Sequence, residues 1–130
     1  GAEGVQIGTR FALTEESSAS PVFKDYCLSL GEGDTKLLLK KLAPTRLVKN
    51  AFREAVEKAE DSGATSEELR ALLGRGRAKK GIFEGDLEEG ELEIGQVSAI
   101  ISHRQSVAEV MNELVESYRQ AAGKDYLFSM

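Results

Sequence analysis

The chain has 130 residues, of which 41% are hydrophobic and 30% charged, and its net charge is −5 at pH 7. That length suffices for one domain with a buried core, and the composition is ordinary for a soluble globular protein. The acidic balance argues against general nucleic-acid binding, which needs a clustered basic surface. Two short basic runs, at residues 40–41 and 75–80, are local exceptions.

Cysteine content and hydropathy bear on location. The single cysteine, Cys27, cannot form an internal disulfide, which predicts a reducing, cytoplasmic environment. The sequence contains neither a long uncharged apolar run nor a basic segment followed by an apolar one. We therefore expect neither a membrane span nor a signal peptide in this chain.

The first element is predicted at residues 3–11, EGVQIGTRF, as a short buried strand with a tight turn at Gly8 and Thr9. Val5 and Ile7 then face one side of the strand and Gln6 faces the other. A lone strand leaves unpaired backbone donors and acceptors on both of its edges. The chain is therefore expected to be the tail of a larger sheet protein.

The next elements follow from helix signals and breakers. Ser20 before Pro21 predicts a helix start, and the helix is expected to end near Leu30, before a glycine-rich stretch. Residues 35–42 fit either a strand or a helix, which Pro44 would break. A helix is then predicted from residue 46 to 61, with one apolar face formed by Val48, Phe52, Ala55 and Ala59.

Two capping boxes mark the later helices. Thr65 with Glu68 predicts a short helix that ends at Gly74. Ser106 with Glu109 predicts the start of the last helix, which is expected to run to Gly123. Its apolar stripe consists of Val107, Val110, Met111, Leu114, Val115 and Tyr118.

Three stretches carry a resemblance to a known family. GAEGVQIGTRF at residues 1–11, APTRLVKN at 43–50 and GDLEEGELEIGQVSAII at 85–101 resemble the C-terminal part of the flavin-dependent enoyl-acyl-carrier-protein reductases of type II. The same family includes the nitronate monooxygenases. The resemblance implies an α/β fold: a C-terminal fragment of an FMN-binding (β/α)8 barrel. Residues 1–20 would be the last barrel strand and the FMN-phosphate loop, 21–104 a helical and loop insertion that returns to the barrel mouth, and 105–130 the C-terminal helix and tail.

The resemblance places cofactor-binding residues at Gly8 and Thr9. Barrels of this kind bind phosphate near the loops after strands seven and eight, and a glycine lets the backbone approach an anion closely. The amides of Gly8 and Thr9 and the Thr9 hydroxyl would contact the FMN phosphate. The alternative is a plain strand-to-loop turn. Arg10 can pair with the phosphate, form a structural salt bridge or face solvent.

The second predicted cofactor contact is at Gly95 and Gln96, in the segment IGQVSA. In the family this element returns to the barrel mouth near the flavin, so Gly95 would allow close approach and Gln96 would supply amide hydrogen bonds. The chain departs from the family at Ala99 and Ile100, where many relatives have glycine. A role in starting a helix is the alternative for both residues.

No functional role is predicted for the other reactive residues of the chain. His103 does not match the family's catalytic histidine, which lies in an upstream segment that this chain lacks, so no catalytic residue is predicted here. Cys27 has no histidine near it in sequence and no second cysteine to form a metal site. The acidic run at residues 84–93 lacks a calcium-loop pattern, so no metal site is predicted.

The resemblance implies an oxidoreductase of fatty acid biosynthesis. NADH or NADPH would reduce FMN, and the flavin would reduce an enoyl thioester carried by acyl carrier protein. The implied partners are that substrate and the N-terminal barrel portion of the same protein. A homodimer is compatible with the resemblance, and binding to nucleic acid or to a membrane is not expected. Oxidation of nitronates by O2 is the alternative within the family. A non-catalytic helical interaction module is the alternative outside it, because the last helix is strongly amphipathic.

Overall fold

The computed structural model describes the backbone of residues 1–128 and the side chains of residues 1–123. Residues 129 and 130, at the end of the predicted tail, lie outside the described part. The helices are α1 (Thr9–Ala12), α2 (Pro21–Leu28), α3 (Ala51–Asp61), α4 (Ser66–Leu73) and α5 (Val107–Phe128). The strands are β1 (Thr35–Leu38) and β2 (Thr45–Val48). A π-helical turn at Lys79–Phe83 and a 3₁₀ turn at Gln96–Ile100 complete the order.

β1 and β2 form an antiparallel hairpin, in which Thr35 is paired with Val48 and Leu38 with Thr45. A third segment lies along β2, because the Val48 N–H donates to the Leu92 carbonyl at 2.9 Å. This hairpin corrects the predicted helix from residue 46. Residues 45–48 pair with β1, and successive residues 47 and 48 are buried on opposite faces, as in a strand.

The hydrophobic core consists of two clusters separated by β2. Val48 belongs to the first cluster, with Leu13, Ala19, Phe23, Cys27, Leu30, Leu92 and Ile94. Leu47 belongs to the second, with Leu38, Leu39, Phe52, Val56, Ala64 and Leu69. Since neighbouring strand residues point to opposite faces, one strand organises both clusters.

The predicted helix starts agree with the observed caps. The Ser20 hydroxyl accepts from the Phe23 N–H at 3.1 Å, with Pro21 at the first helical position. α2 ends at Leu28, two residues earlier than expected. Thr65 and Glu68 form a capping box at α4, whose C-cap is Gly74 as predicted. α3 begins only at Ala51, where the Asn50 side chain accepts from the Arg53 N–H at 2.8 Å.

α5 begins as predicted but does not stop at Gly123. Ser106 and Glu109 exchange side-chain hydrogen bonds of 2.7 and 3.2 Å with each other's backbone N–H. The helix continues through Gly123 to Phe128. Val110 on the predicted apolar stripe is buried, whereas Tyr118 is 74% exposed. Much of this stripe is therefore uncovered within the described residues.

Residues 1–8 contain neither helix nor strand. Val5 is 84% exposed, and α1 already begins at Thr9, inside the stretch predicted to be extended. A strand requires a hydrogen-bonded neighbour, and no described residue pairs with this segment. The assignment of residues 1–20 to a barrel strand and phosphate loop stays a prediction. Among the described residues, no helix combines the length and hydrophobicity needed to cross a bilayer.

Candidate functional site

An open cleft borders the first predicted motif. It has a volume of about 410 Å³ and is lined by Gln6, Ile7, Gly8, Thr9, Arg10, Val97 and Leu114. We call it the Gly8–Thr9 cleft. Gly8 is exposed and has φ −104°, which any residue can adopt. A Cβ added to Gly8 would meet no atom of the described residues within 4 Å. The backbone here is open to a ligand.

Thr9 is fixed by a contact with a residue far away in sequence. The Gly95 N–H donates to the Thr9 Oγ1 at 2.8 Å. A Cβ on Gly95 would overlap that oxygen and lie 3.3 Å from the Thr9 Cβ. Glycine at position 95 is therefore required by close packing. The Thr9 hydroxyl still has its own proton to donate, because a hydroxyl can accept and donate at once.

The structure thus brings together three of the four predicted cofactor-binding residues: Gly8, Thr9 and Gly95. Gln96 is exposed, and neither it nor Gly95 lines the cleft within the described residues. The cofactor contacts of all four residues stay predictions. Gly95 is the N-cap of the 3₁₀ turn that Gln96 begins, as the alternative reading expected. The neighbouring Val97 lines the cleft instead. The sequence analysis missed it because an apolar residue carries no functional signal.

Arg10 forms a salt bridge, one of the three alternatives left open by the sequence. Its Nη2 donates to the Glu113 Oε2 of α5. The other oxygen of Glu113 accepts from the Gln105 Nε2 at 2.6 Å, and Gln105 is buried. Glu113 therefore holds Arg10 in the wall of the Gly8–Thr9 cleft. It connects α5 to the segment that carries both predicted phosphate contacts.

His103 and Cys27 lie outside this cleft. His103 is exposed and lines a smaller cleft of about 250 Å³, together with Arg10 and Gln105. Its Nδ1 lies 3.3 Å from the Ser102 hydroxyl. Cys27 is fully buried, and burial raises the pKa of its thiol to about 12. A thiol in that environment stays protonated and is a poor nucleophile.

The acidic run contains a feature that the sequence analysis missed. Glu91 is buried, and its pKa is raised to about 7, chiefly by burial and further by a hydrogen bond and charge repulsion from Glu93. Leu92 and Ile94 belong to the first core cluster, so Glu91 and Glu93, which alternate with them, lie together on the opposite side. The alternation of acidic and apolar residues in the sequence could have predicted that these carboxylates lie on one side. No group of three metal-ligating side chains occurs in the described part of the chain.

The open backbone at Gly8, the Thr9 hydroxyl and the Arg10 charge fit a phosphate-bearing cofactor such as FMN. A glycine without neighbours lets an anion reach the backbone amides, while the hydroxyl and the guanidinium supply further donors. These groups can bind and orient a ligand. They do not by themselves form a nucleophile or a general base, because a guanidinium only donates hydrogen bonds and no base contacts Thr9 in the described residues.

Comparison with known proteins agrees with the motifs. The family model "Nitronate monooxygenase" matches residues 1–117. The chain belongs to the nitronate monooxygenase family. It is 30% identical over 117 residues to a "Probable nitronate monooxygenase" of Bacillus subtilis (strain 168), covering 89% of this chain and 33% of that protein. The members are FMN-dependent oxidoreductases.

Solved structures show the same fold. FabK from Thermotoga maritima matches with a TM-score of 0.80 and 28% identity, over 98% of this chain and 40% of FabK. Its M276A mutant matches with a TM-score of 0.77 and 26% identity, over 98% of this chain and 38% of the mutant chain. The expected fold class, an α/β part of a (β/α)8 barrel, is confirmed. The chain spans about one third to two fifths of the relatives that it matches.

Proposed function

We propose that this chain is the FMN-phosphate-binding and mouth-covering part of an enoyl-acyl-carrier-protein reductase of fatty acid biosynthesis. NADH or NADPH would be the electron donor. The observation that carries the proposal is the Thr9–Gly95 hydrogen bond, which joins two family motifs beside the open backbone of Gly8. The structural likeness to FabK over nearly the whole chain supports the reductase branch of the family.

The chain's own residues would bind and orient the cofactor. Bound FMN would supply the hydride-transfer chemistry. The amides of Gly8 and Thr9 would contact the phosphate, and the Gly95 N–H would hold the Thr9 hydroxyl in place. Gln96, at the start of the 3₁₀ turn, would contact the cofactor or a neighbouring loop. The proton donor would come from the barrel portion, because Cys27 is fully buried and His103 does not match the family's catalytic histidine.

An uncovered apolar cleft supports the barrel portion as a partner. It has a volume of about 660 Å³ and lies between the N-terminal segment and α5, lined by Val5, Ile7, Phe11, Met111, Leu114, Val115, Tyr118 and Arg119. Val5 lines only this apolar cleft and Gln6 only the Gly8–Thr9 cleft, whereas Ile7 borders both. A contiguous exposed apolar surface usually marks an interface. We assign this one to the preceding barrel strands and helices.

A second candidate function is oxidation of nitronates by O2. The matching family model and the Bacillus subtilis relative both carry the nitronate monooxygenase description. Both reactions would use the same phosphate contacts, because the branches share these C-terminal motifs. Membership in a family of oxidoreductases favours either activity over the helical interaction module.

The proposed location is the cytoplasm. Its support is the single cysteine, which is buried and has no partner for an internal disulfide. The acyl-carrier-protein-linked substrate belongs to the same proposal. The homodimer stays a prediction, which the molar mass of the full-length protein in light scattering would check.

The test compares two assays on the full-length protein that contains this chain. One measures NADH and NADPH oxidation with an enoyl thioester on acyl carrier protein. The other measures O2 consumption with a nitronate. We expect turnover in the first assay, with release of FMN on denaturation. Turnover only with the nitronate would transfer the assignment to the second candidate, and a protein without flavin would contradict both. The isolated 130-residue chain should oxidise NAD(P)H no faster than free FMN does, since it lacks most of the barrel.

A further inference from the structure

Residues 91–95 join the acidic run to the candidate site. This segment lies along β2, through a β-bridge between Leu47 and Glu93. Its last residue, Gly95, donates its N–H to the Thr9 hydroxyl at 2.8 Å. The place of the segment on β2 therefore helps to fix Gly95 against Thr9.

Glu91 is buried in this segment, and its carboxylate has no N–H donor among the described residues. The residue is 8% exposed. A carboxylate that is removed from water without hydrogen bonds favours protonation. Glu93 lies two positions further on the same side of the segment, where it can share the proton. The pKa of Glu91 agrees with this geometry, since burial, a hydrogen bond with Glu93 and the charge of Glu93 raise it to about 7.

Arg77 is the cation whose charge acts on Glu91, and it opposes the raised pKa of that carboxyl. Its guanidinium donates to three backbone carbonyls, those of Leu72, Leu73 and Glu89. Its Nη1 also lies 3.6 Å from the Glu89 carboxylate. Arg77 is therefore held by other partners, and no ion pair neutralises Glu91 within the described residues.

Glu93 likewise forms no salt bridge in the part of the chain that the structure describes. Arg46 borders a cleft together with Glu93, Thr9 and Gly95. The Arg46 Nη1 donates instead to Thr35, 3.3 Å from its hydroxyl and 3.4 Å from its carbonyl oxygen. The two carboxyls of the segment therefore depend on each other and on the proton between them.

We propose that Glu91 and Glu93 form a pH-sensitive switch that controls the contact between Gly95 and Thr9. With one shared proton, the segment stays on β2 and Gly95 stays on Thr9. When the proton passes to water, two negative charges lie on the same side of a short segment, and one of them is buried. The buried carboxylate reaches water when the segment moves away from β2, and this movement releases Gly95.

The switch has a defined pH range. With the segment open, Glu91 is in water and titrates near its ordinary pKa of 4.5, whereas its pKa in the closed segment is about 7. Opening releases a proton between these two values, so its equilibrium constant should rise by up to about tenfold per pH unit. Above about pH 7 the carboxyl is ionised in both states, and the dependence should end.

Hydrogen exchange followed by mass spectrometry measures this opening in the full-length protein without flavin. From about pH 5 to 7, the protection of the Gly95 amide should fall by up to about tenfold per unit, after correction for the intrinsic exchange rate. The helix α4 is the internal reference, because its capping box and backbone hydrogen bonds lie within the helix itself. Its protection should not show this slope.

Three variants test the two carboxyls. Glu91→Gln has the shape of the protonated side chain and no proton to lose, so its Gly95 protection should not depend on pH. Glu93→Gln removes the repelling charge and offers an amide N–H to Glu91, so the pH range should move to lower values. Glu88→Gln is the control, because it makes the same charge change at an exposed position of the same acidic run and should leave the slope unchanged.

The effect of the switch on flavin rests on the proposed function. If FMN binds beside Thr9 in the closed state alone, FMN at a hundred times its Kd should raise Gly95 protection about a hundredfold. Release of the flavin should then become easier as pH rises towards 7, because the open state becomes more frequent.

The outcomes separate this inference from the proposed function. Gly95 protection that is independent of pH in the unmodified protein would overturn the switch. So would a slope that Glu91→Gln retains, that Glu88→Gln also abolishes, or that α4 shares. If Glu91→Gln does not fold, an unshifted range in Glu93→Gln would overturn the shared proton. FMN binding that leaves Gly95 protection unchanged would overturn the link to the ligand. A protein that shows the slope but binds no FMN would retain the switch and lose the proposed function.

Discussion

Substitution of Gly95 by alanine tests the contact that joins the two family motifs. The Gly95 N–H donates to the Thr9 Oγ1 at 2.8 Å, and an added Cβ would overlap that oxygen. The threonine cannot yield easily, because its branched side chain has few χ1 rotamers and its Cβ would also lie 3.3 Å from the new atom. The turn must therefore move away from α1, or Thr9 must leave its rotamer.

The expected cost follows from three terms. Overpacking by one methyl group costs about 1–3 kcal/mol. Losing the hydrogen bond costs about 1 kcal/mol. Alanine has less conformational freedom than glycine in the unfolded chain, and φ −71° at Gly95 is open to any residue. The substitution therefore also stabilises the folded state by about 0.4–1 kcal/mol. The free energy of unfolding should thus fall by roughly 1–3 kcal/mol.

Urea denaturation of the purified full-length protein measures this change, read as a lower midpoint with an unchanged slope. Gly123→Ala is the control, because an added Cβ there meets no described atom within 4 Å and the residue lies within α5. The decisive comparison is Gly95→Ala in a Thr9→Ala background. The Thr9→Ala substitution removes both the overlap and the hydrogen bond and leaves only the Cβ contact at 3.3 Å, so most of the cost of Gly95→Ala should disappear in this background. Equal costs in both backgrounds would show that the Thr9–Gly95 contact does not make glycine necessary.

Three further predictions concern pH, catalysis and cofactor binding. The pKa of Glu91 is raised from 4.5 to about 7, so the folded protein binds this proton more tightly than the unfolded chain does. Its contribution to stability is therefore present at pH 4.5 and lost as pH rises through about 7, and Glu91→Gln should remove that dependence in denaturation at several pH values. His103→Ala should change kcat by less than about threefold, far below the effect of losing a general acid; a hundredfold loss with FMN still bound would identify it as the proton donor. Gly8→Val should weaken FMN binding roughly tenfold or more by denying the phosphate one or more amide hydrogen bonds; unchanged affinity in the folded variant would remove the phosphate contact from Gly8.

The sequence was sufficient where structure depends on local interactions. The starts of α2, α4 and α5 were predicted correctly, because each cap is formed by residues three positions apart. Gly74 was predicted correctly as the end of α4, and its φ of +65° explains why a glycine is found there. Gly123 has no such conformation, and α5 continues through it. A glycine ends a helix where its backbone adopts a positive φ, and the presence of a glycine in the sequence does not show that it does so.

Local pattern was insufficient where the structure depends on distant partners. Residues 46–48 were predicted as the start of a helix, because Val48 fits its apolar face. Their conformation is decided by pairing with β1 and by the Leu92 carbonyl, more than 40 positions along the chain. The raised pKa of Glu91 has the same origin, since burial beneath other segments is its largest cause. Periodicity describes one segment at a time and contains no information about such partners.

The two glycines of the candidate site illustrate how the structure separates roles that the sequence could not. Both lie in family motifs, and both were assigned to close approach of a ligand. Gly95 has a reason within the protein, because Thr9 occupies the space that a side chain would need. Gly8 has no such reason among the described residues, since its surroundings are open and its φ is unexceptional. The proposed FMN phosphate would supply the reason for glycine at position 8. The two substitutions should therefore differ in kind: Gly95→Ala should lower stability without any ligand, whereas Gly8→Val should change little until FMN is added.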